Sequence, residues 1–421
     1  MLKSDRNRQV LTLILIVAAL IRIPVAAYMG DQVTELPGIQ DQISYDALAR
    51  SLLDGRGYSF REAWYPFTPA NTPTSHWSFI YPVYLAGIYA ISGYHPLIAR
   101  ILQTVVGSVL TCFLIYKIGR RVVNEATGLA AAALAAVYGY FIYYNAALMT
   151  ETFFMVLVLL TLYLSIEIKE NPTLIRWVGL GCSLGVAVLL RQTVLIFAPI
   201  LLLWLFAELK DKSSRWWHFS IPIIIIILFV MPWTIRNYRV YDQFLLLNSN
   251  AGYALFASNN PGLGTNWDNE LVVVPVPQEL KGQNEAQLDR ALTRKGIEYI
   301  ISDPERYVFL TLNKTLEYFW FWPSATSSRI SNINRVLSFG LYLPFMLVGL
   351  YLSFSRWRRF VVLYLFILVH TTIHLLSWPA PRYRLTVDAV AMVFAAQAVL
   401  ELVKWAKNWR HRNLISDEAR A

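Results

Sequence analysis

Glu151, Arg191, Arg382 and Arg384 each border or interrupt a long apolar run, and Asp41 opens an amphipathic segment in a loop between such runs. Ionised groups in such surroundings are costly and are functional candidates by default. A guanidinium presents a planar fork of donors that matches phosphate oxygens and stays charged at any working pH. A carboxylate within hydrogen-bond reach can take a proton from a weak nucleophile. Arginines near a lipid-phosphate depth, alongside two carboxylates, therefore suggest proton transfer beside a bound phosphate. Each residue also has a plainer reading. Aspartate is a favoured helix N-cap, which is compatible with a working carboxylate at Asp41. Glu151 suits a solvated loop end, and arginines can snorkel to headgroups. One such arginine is easily explained that way; three at separate helix ends are harder.

The other reactive types are less suggestive. His76 beside Trp77 reads first as interfacial packing. His370 and His374 have i,i+4 spacing, but no neighbouring Cys or Asp completes a metal set. Asp41 and Glu151 have the chemistry to share a divalent cation and do not demand one. Cys112 and Cys182 both lie in apolar runs, so no disulfide framework is implied. The chain contains no Walker sequence, GxGxxG, zinc spacing or GxSxG.

The elements that must position these groups are membrane helices. The 421 residues are 56% apolar and only 15% charged, with a mean hydropathy of +0.43. Disorder and an ordinary soluble fold are both excluded by that composition. The formal charge is +10, but charge this sparse does not make a nucleic-acid surface. Spans of roughly 17–25 apolar residues fall near 10–28, 98–117, 128–146, 148–166, 174–190, 193–208, 218–235, 335–354, 358–377 and 385–405. The first contains Arg22 and is followed by no clear cleavage site, so it reads as a retained helix. The fold class is therefore all-α and polytopic, with about ten transmembrane helices.

Residues 78–93 decide the orientation. If they do not span, Lys3, Arg6, Arg8, Lys117, Arg120, Arg121, Lys169, Arg176, Lys210, Lys212, Arg215, Arg356, Arg358, Arg359 and the Lys404–Arg412 tail share one side. That side then carries 19 Lys/Arg against nine Asp/Glu, and the remainder is neutral. The positive-inside rule selects this arrangement. Both termini are then cytoplasmic, and the +10 is a topology signal.

Two outer loops are long. The first covers about 30–93. Its segment from Asp41 has Ile43, Ala47, Leu48 and Leu52 on one face and Ser44, Asp46 and Arg50 on the other, ending at Gly55-Arg-Gly57. This pattern predicts an amphipathic helix lying in the interface. A stretch with Pro66, Pro69, Pro73 and Pro82 follows. The second loop, about 236–334, predicts a small mixed α/β cap, with helices over Glu285–Ile301 and Glu305–Phe321. Three parts result: 1–235, with the first outer loop as its catalytic segment; 236–334; and 335–421, with three helices and a basic tail.

Several segments, in this order, resemble the GT-C superfamily of membrane glycosyltransferases. The similarity is strongest to family 39, the protein mannosyltransferase-like and lipid A aminoarabinose-transferase-like group. They are Asp41-Gln-Ile-Ser-Tyr45, Pro73–Pro82, Thr150-Glu151-Thr152, Pro232–Asn237, Asn259-Asn-Pro261 and Arg382-Tyr-Arg384. The family usually has a Pro-Pro pair where this chain has Ser78-Phe79. The resemblance implies transfer of a hexose or pentose from a polyprenyl-phosphate carrier to a lipid, glycan or protein acceptor at the outer face, typically with inversion. It implies Asp41 as base, with Glu151 and Tyr45 supporting it. Arg191, Arg382, Arg384 and Arg236 would bind the donor phosphate, while His76 and Tyr383 line the substrate. A bacterial inner membrane is the expected location.

Two other readings share some of these features. A polyprenyl-linked glycan polymerase or ligase would have the same topology. A secondary or lipid transporter would favour internal repeats and broken mid-membrane helices, whereas here the polar residues gather at helix ends. The orientation is testable. A cysteine placed at 120–125 should resist an impermeant reagent applied outside, and labelling there would invert the arrangement.

Overall fold

The computed structural model describes the chain except Met1 and residues 65–67, 210–215, 266, 268–273 and 419–421. Pro66, Lys210, Lys212 and Arg215 lie outside the described residues, as do the side chains of Lys3 and Arg412. Seventeen α-helices follow in chain order. They are α1 (Leu2–Met29), α2 (Asp41–Leu53), α3 (Ile80–Ser92), α4 (Pro96–Val122), α5 (Glu125–Ala136), α6 (Gly139–Ala146), α7 (Glu151–Glu170), α8 (Leu174–Leu190) and α9 (Val194–Leu209). Then come α10 (Ser220–Tyr241), α11 (Ala251–Ser258), α12 (Glu285–Ser302), α13 (Pro304–Tyr318), α14 (Arg329–Arg335), α15 (Leu341–Ser353), α16 (Val361–Leu376) and α17 (Leu385–Glu418). Among the described residues there is no sheet, only isolated bridges in the first loop. The strands expected in the second outer loop are not found there: its described part is α11, α12, α13 and short turns. The two helices read from its sequence are present.

Among the described residues, six helices are long and apolar enough to cross a membrane, or seven if the pair α5–α6, bent by 58°, counts as one span. Three other expected spans are the apolar helices α8, α9 and α16, of 16 or 17 residues. Helix α3 has 13 residues. At 1.5 Å per residue it reaches about 20 Å, short of the ~30 Å hydrocarbon core, so it does not span alone.

Polar residues inside this apolar framework hold helix ends together. The break between α5 and α6 leaves carbonyls without helical partners. Arg22 of α1 supplies them, with Nη1 donating to Ala136 O at 2.7 Å and Nη2 to Ala135 O at 3.0 Å. Arg100, near the start of α4, does the same for three carbonyls of two segments. It donates to Gly30 O at 3.1 Å, Gln32 O at 2.9 Å and Ala146 O at 2.9 Å. Gln103, one turn later, donates to Asn145 O and Ala147 O and accepts from the Tyr81 hydroxyl. At Gly107 a Cβ would lie 2.2 Å from Thr152, so only glycine lets α4 approach α7 this closely. One end of the bundle thus gathers the ends of α1, α6 and α7 around α4. Ion pairs Arg121–Glu167, Arg176–Glu167 and Lys169–Glu208 gather at the other.

Helix α2 differs from its expected surface position. Ser44 and Asp46, assigned to the polar face, are buried. Asp46 accepts from Tyr89 at 2.9 Å and Tyr94 at 3.2 Å and pairs with Arg50 at 2.8 Å. Tyr89, Tyr94 and Arg50 satisfy Asp46, so packing against α3 covers it. Gly55 and Gly57 take φ of +73° and +72° just past the end of α2, as their sequence position suggests.

Replacing Arg100 by Met should leave three carbonyls without this donor. At about 1–3 kcal/mol per unsatisfied group, the loss should reach at least ~3 kcal/mol. Thermal unfolding in detergent measures it; an unchanged melting temperature would remove Arg100 from the role of tying these ends together.

Candidate active site

The gathered end of the bundle opens into a cavity of about 2750 Å³ between the first loop, the helix ends and the second outer loop. Asp41, Tyr45, His76, Arg191, Arg382 and Tyr383 all line it. Glu151 stands directly behind them.

Asp41 is the first residue of α2, and Gln40 holds the cap position with no side-chain cap bond. The N-cap reading of Asp41 is therefore corrected. Its carboxylate is engaged by Arg382 Nη2 at 2.9 Å, and both side chains are 15% exposed. The positive end of the helix dipole also favours a carboxylate here. Arg382 Nη1 donates to Gly38 O at 3.2 Å, and its Nε lies 3.8 Å from Glu151. Gly38 has a φ of +71°, which places that carbonyl without strain. Arg191 Nη2 meets Glu151 at 2.5 Å, and its Nε donates to Thr150 Oγ1 at 3.2 Å. The Tyr383 ring stands between the two guanidinium groups, 4.8 Å from Arg191 and 5.2 Å from Arg382. Two cations and two carboxylates from four distant segments thus form one charge-balanced network.

Burial pushes the Asp41 carboxyl above its usual range. Arg382 opposes the shift, the charge of Glu151 adds to it, and Arg191 opposes it further. Tyr45 lies one turn along α2, with Trp77 and Tyr81 against its ring edges at 5.3 and 5.0 Å. Burial raises its hydroxyl pKa, so it stays neutral. His76 packs on Trp77 with ring centroids 4.9 Å apart. Burial lowers its pKa to about 4, which leaves the ring neutral near pH 7.

The His76 wall is held from behind by Glu285 of α12. Its buried carboxylate accepts from Ser75 N at 2.7 Å, Ser249 Oγ at 2.9 Å, the Tyr241 hydroxyl at 3.1 Å and the Thr68 hydroxyl. Arg236 belongs to this support. It donates to Ser75 Oγ at 2.7 Å and Asn237 Oδ1 at 3.1 Å. It does not line the cavity, so its expected part in binding the donor phosphate is corrected.

Arg384 is corrected as well. It is fully buried, pairs with Asp388 at 3.0 Å and donates to Tyr318 O. Its guanidinium also lies 3.3 Å from the Phe339 ring centroid. Tyr138 donates to the other Asp388 oxygen at 2.7 Å. The 3-10 turn at Pro381–Arg384 sends Arg382 toward the cavity and Arg384 into the core. His370 and His374 form no metal pair: His370 Nε2 lies 3.1 Å from Tyr383 O, and the His374 ring stacks on Tyr383 at 4.6 Å. No metal-ligand cluster of three or more occurs among the described residues. Arg382 lies between Asp41 and Glu151, where a shared cation would otherwise sit.

Sequence reasoning missed Asp388, Glu285, Arg100 and Arg335, a buried cavity arginine in α14. Asp388 had a readable signal, four residues after Arg384 on a helix.

Comparisons with known proteins agree with this architecture. Residues 77–235 match the family model of dolichyl-phosphate-mannose-protein mannosyltransferases. Glu151 and Arg191 fall inside that match, whereas Asp41 and Arg382 fall outside it. The archaeal oligosaccharyltransferase AglB from Archaeoglobus fulgidus, in complex with an inhibitory peptide and a dolichol-phosphate, has the same fold. Its TM-score is 0.61 at 16% identity, covering 98% of this chain and 52% of that chain. The apo form of the Archaeoglobus fulgidus oligosaccharyltransferase gives 0.60 at 16% identity, over 96% and 52%. ArnT from Cupriavidus metallidurans bound to undecaprenyl phosphate aligns over 92% of this chain and 77% of that one, at 12% identity and a TM-score of 0.43. The chain spans about half the length of the oligosaccharyltransferase chains it matches. No curated protein matches it. The GT-C resemblance read from the sequence is borne out by the family match and the fold.

The Arg384–Asp388 assignment generates a stability test. Breaking a buried pair typically costs about 3–5 kcal/mol, while replacing both partners by apolar groups can be nearly neutral. Arg384→Met should lower the melting temperature sharply, and Arg384→Met with Asp388→Leu should recover much of it. An Arg384→Met protein that is stable but selectively inactive would contradict the structural role.

Proposed function

We propose that this protein is a membrane glycosyltransferase that moves a sugar from a polyprenyl-phosphate donor to an acceptor hydroxyl, with Asp41 as the base. The observation that carries this reading is the Asp41–Arg382–Glu151–Arg191 network on the wall of the cavity. Buried ion pairs contribute little net stability, and perturbed carboxylates in clefts mark working sites. The acceptor hydroxyl gives its proton to Asp41 as its oxygen attacks the anomeric carbon. The carbon–oxygen bond to the carrier phosphate breaks on the opposite face, with its electron pair going to phosphate. No leaving-group acid is required, unlike the two-carboxylate arrangement of glycosidases. Arg382 lowers the Asp41 pKa against burial and orients its carboxylate, and Arg191 orients Glu151. His76 and Tyr383, both aromatic surfaces, suit the faces of a sugar.

The finer topology belongs to the same proposal. With α8, α9 and α16 as short spans, the chain crosses ten times. The cavity then faces outside and both termini face the cytoplasm of a bacterial inner-membrane protein. One observation favours a second substrate size. The cavity of about 2750 Å³ far exceeds the ~300–1,000 Å³ of an ordinary small-ligand site. A lipid-linked oligosaccharide would fill it better than one sugar. Donors carrying one sugar and several sugars, compared in the same transfer assay, separate the two.

The base assignment predicts that Asp41→Asn lowers kcat at least ~100-fold. Near-wild-type turnover would end it. Activity should fall with decreasing pH through a limb above the ordinary carboxylate value, because burial raises the Asp41 pKa. Arg382 is the largest influence holding that pKa down. Arg382→Gln should therefore move the acid limb to higher pH; movement to lower pH would show that another group titrates.

A further inference from the structure

We propose that the leaving phosphate is held by Arg335, in an oxyanion subsite separate from the Asp41 network. The inference rests on the transferase reading above.

Inversion puts the base and the leaving group on opposite faces of the sugar. The base lies ~3 Å from the acceptor oxygen, and that oxygen ~3 Å from the anomeric carbon. The phosphorus lies two bonds further on, so it stands roughly 8 Å from Asp41. Arg382 touches Asp41 at 2.9 Å and therefore stands on the side of the base. Charge points the same way. Arg191 and Arg382 are each paired with a carboxylate. A phosphate arriving there meets both anions as well as both cations. Bond cleavage converts a phosphodiester of charge −1 into a monoester of charge −2 as the acceptor proton passes to Asp41. A cation without a carboxylate partner stabilises that added charge best.

Arg335 meets the charge requirement. It lines the same cavity and is 8% exposed. Among the described residues no carboxylate forms an ion pair with it. Nη1 donates to Trp322 O at 3.2 Å and Nη2 to Ser327 Oγ at 3.1 Å. The guanidinium lies on the Trp320 ring, 3.6 Å from its centroid. A main-chain carbonyl, a hydroxyl and a ring thus fix it without neutralising it. Ser324, Thr326 and Ser331 add hydroxyl donors along the same wall.

Tyr140 and Tyr144 line the same cavity. These tyrosines are one turn apart on α6, with ring centroids separated by 6.2 Å. Helix α14 packs directly on the start of α6: a Cβ at Gly139 would lie 2.0 Å from Asn334 Oδ1. The start of α6 therefore helps fix the position of α14, and with it Arg335.

The test uses the purified full-length protein in detergent, with a short-chain polyprenyl phosphate and the matching polyprenol as probes. Arg335→Gln should weaken polyprenyl phosphate binding at least ~10-fold and leave polyprenol binding unchanged. It should lower kcat/KM for donor ~10²–10³-fold, with the acceptor KM unchanged. Arg335→Lys should restore part of the phosphate affinity. Unchanged phosphate binding would overturn the subsite. So would a loss confined to acceptor KM, or an equal loss for phosphate and polyprenol. Failure of the transferase reading looks different: wild-type protein would bind polyprenyl phosphate in an Arg335-dependent way yet transfer no sugar.

Discussion

The ion network of Asp41, Arg382, Glu151 and Arg191 is the constraint on which the rest of this structure depends. Each charge lies near the mouth of an apolar bundle, where an unpaired ion is expensive. Each comes from a different segment: the start of α2, the turn before α17, the start of α7 and the end of α8. The charges can be paired only if these four segments meet. Convergence of the helix ends and burial of the network are therefore one requirement.

A second set of polar contacts makes that convergence possible. Chain breaks inside a membrane expose main-chain carbonyls that water does not reach. Arg22, Arg100 and Gln103 supply donors to those carbonyls. They also fix where α6 ends and α7 begins, and so where Glu151 points. Glu285 performs the complementary task on the opposite wall, accepting bonds from main-chain and hydroxyl donors around Ser75. The site is held by side chains reaching to backbone from outside it, which suits a cavity whose own walls are loops. Its arginines then divide into two electrostatic classes: Arg191 and Arg382 are compensated, while Arg335 is not.

Part of this was legible in the sequence and part was not, for definable reasons. Hydropathy located the apolar helices of the bundle, and turn residues located the end of α2 at Gly55. Charge and apolar spacing placed α12 and α13 nearly to the residue. The mixed α/β character expected of the second loop is absent from its described residues, because turn-rich composition does not distinguish strands from short helical turns. Periodicity gave α2 a solvent face at Ser44 and Asp46, yet Tyr89 and Tyr94 from a later segment cover Asp46. Arg382 and Arg384 looked equivalent as text. A single turn separates them into a cavity residue and a core residue, and Asp388, one helical turn on, together with the distant Tyr138 explains the second. Arg335 was missed because only the fold brings Trp320, Trp322 and Ser327 around it.

The sequence by itself determined that this is a polytopic helical chain, which helices are apolar and which charged residues are misplaced among them. These are one-dimensional properties, set by run length and by the cost of charge in hydrocarbon. Only the tertiary structure decided which misplaced charges meet, which face the cavity and which arginine keeps its charge uncompensated. Pairing depends on distances of a few ångströms between segments hundreds of residues apart, and nothing local in the chain encodes them.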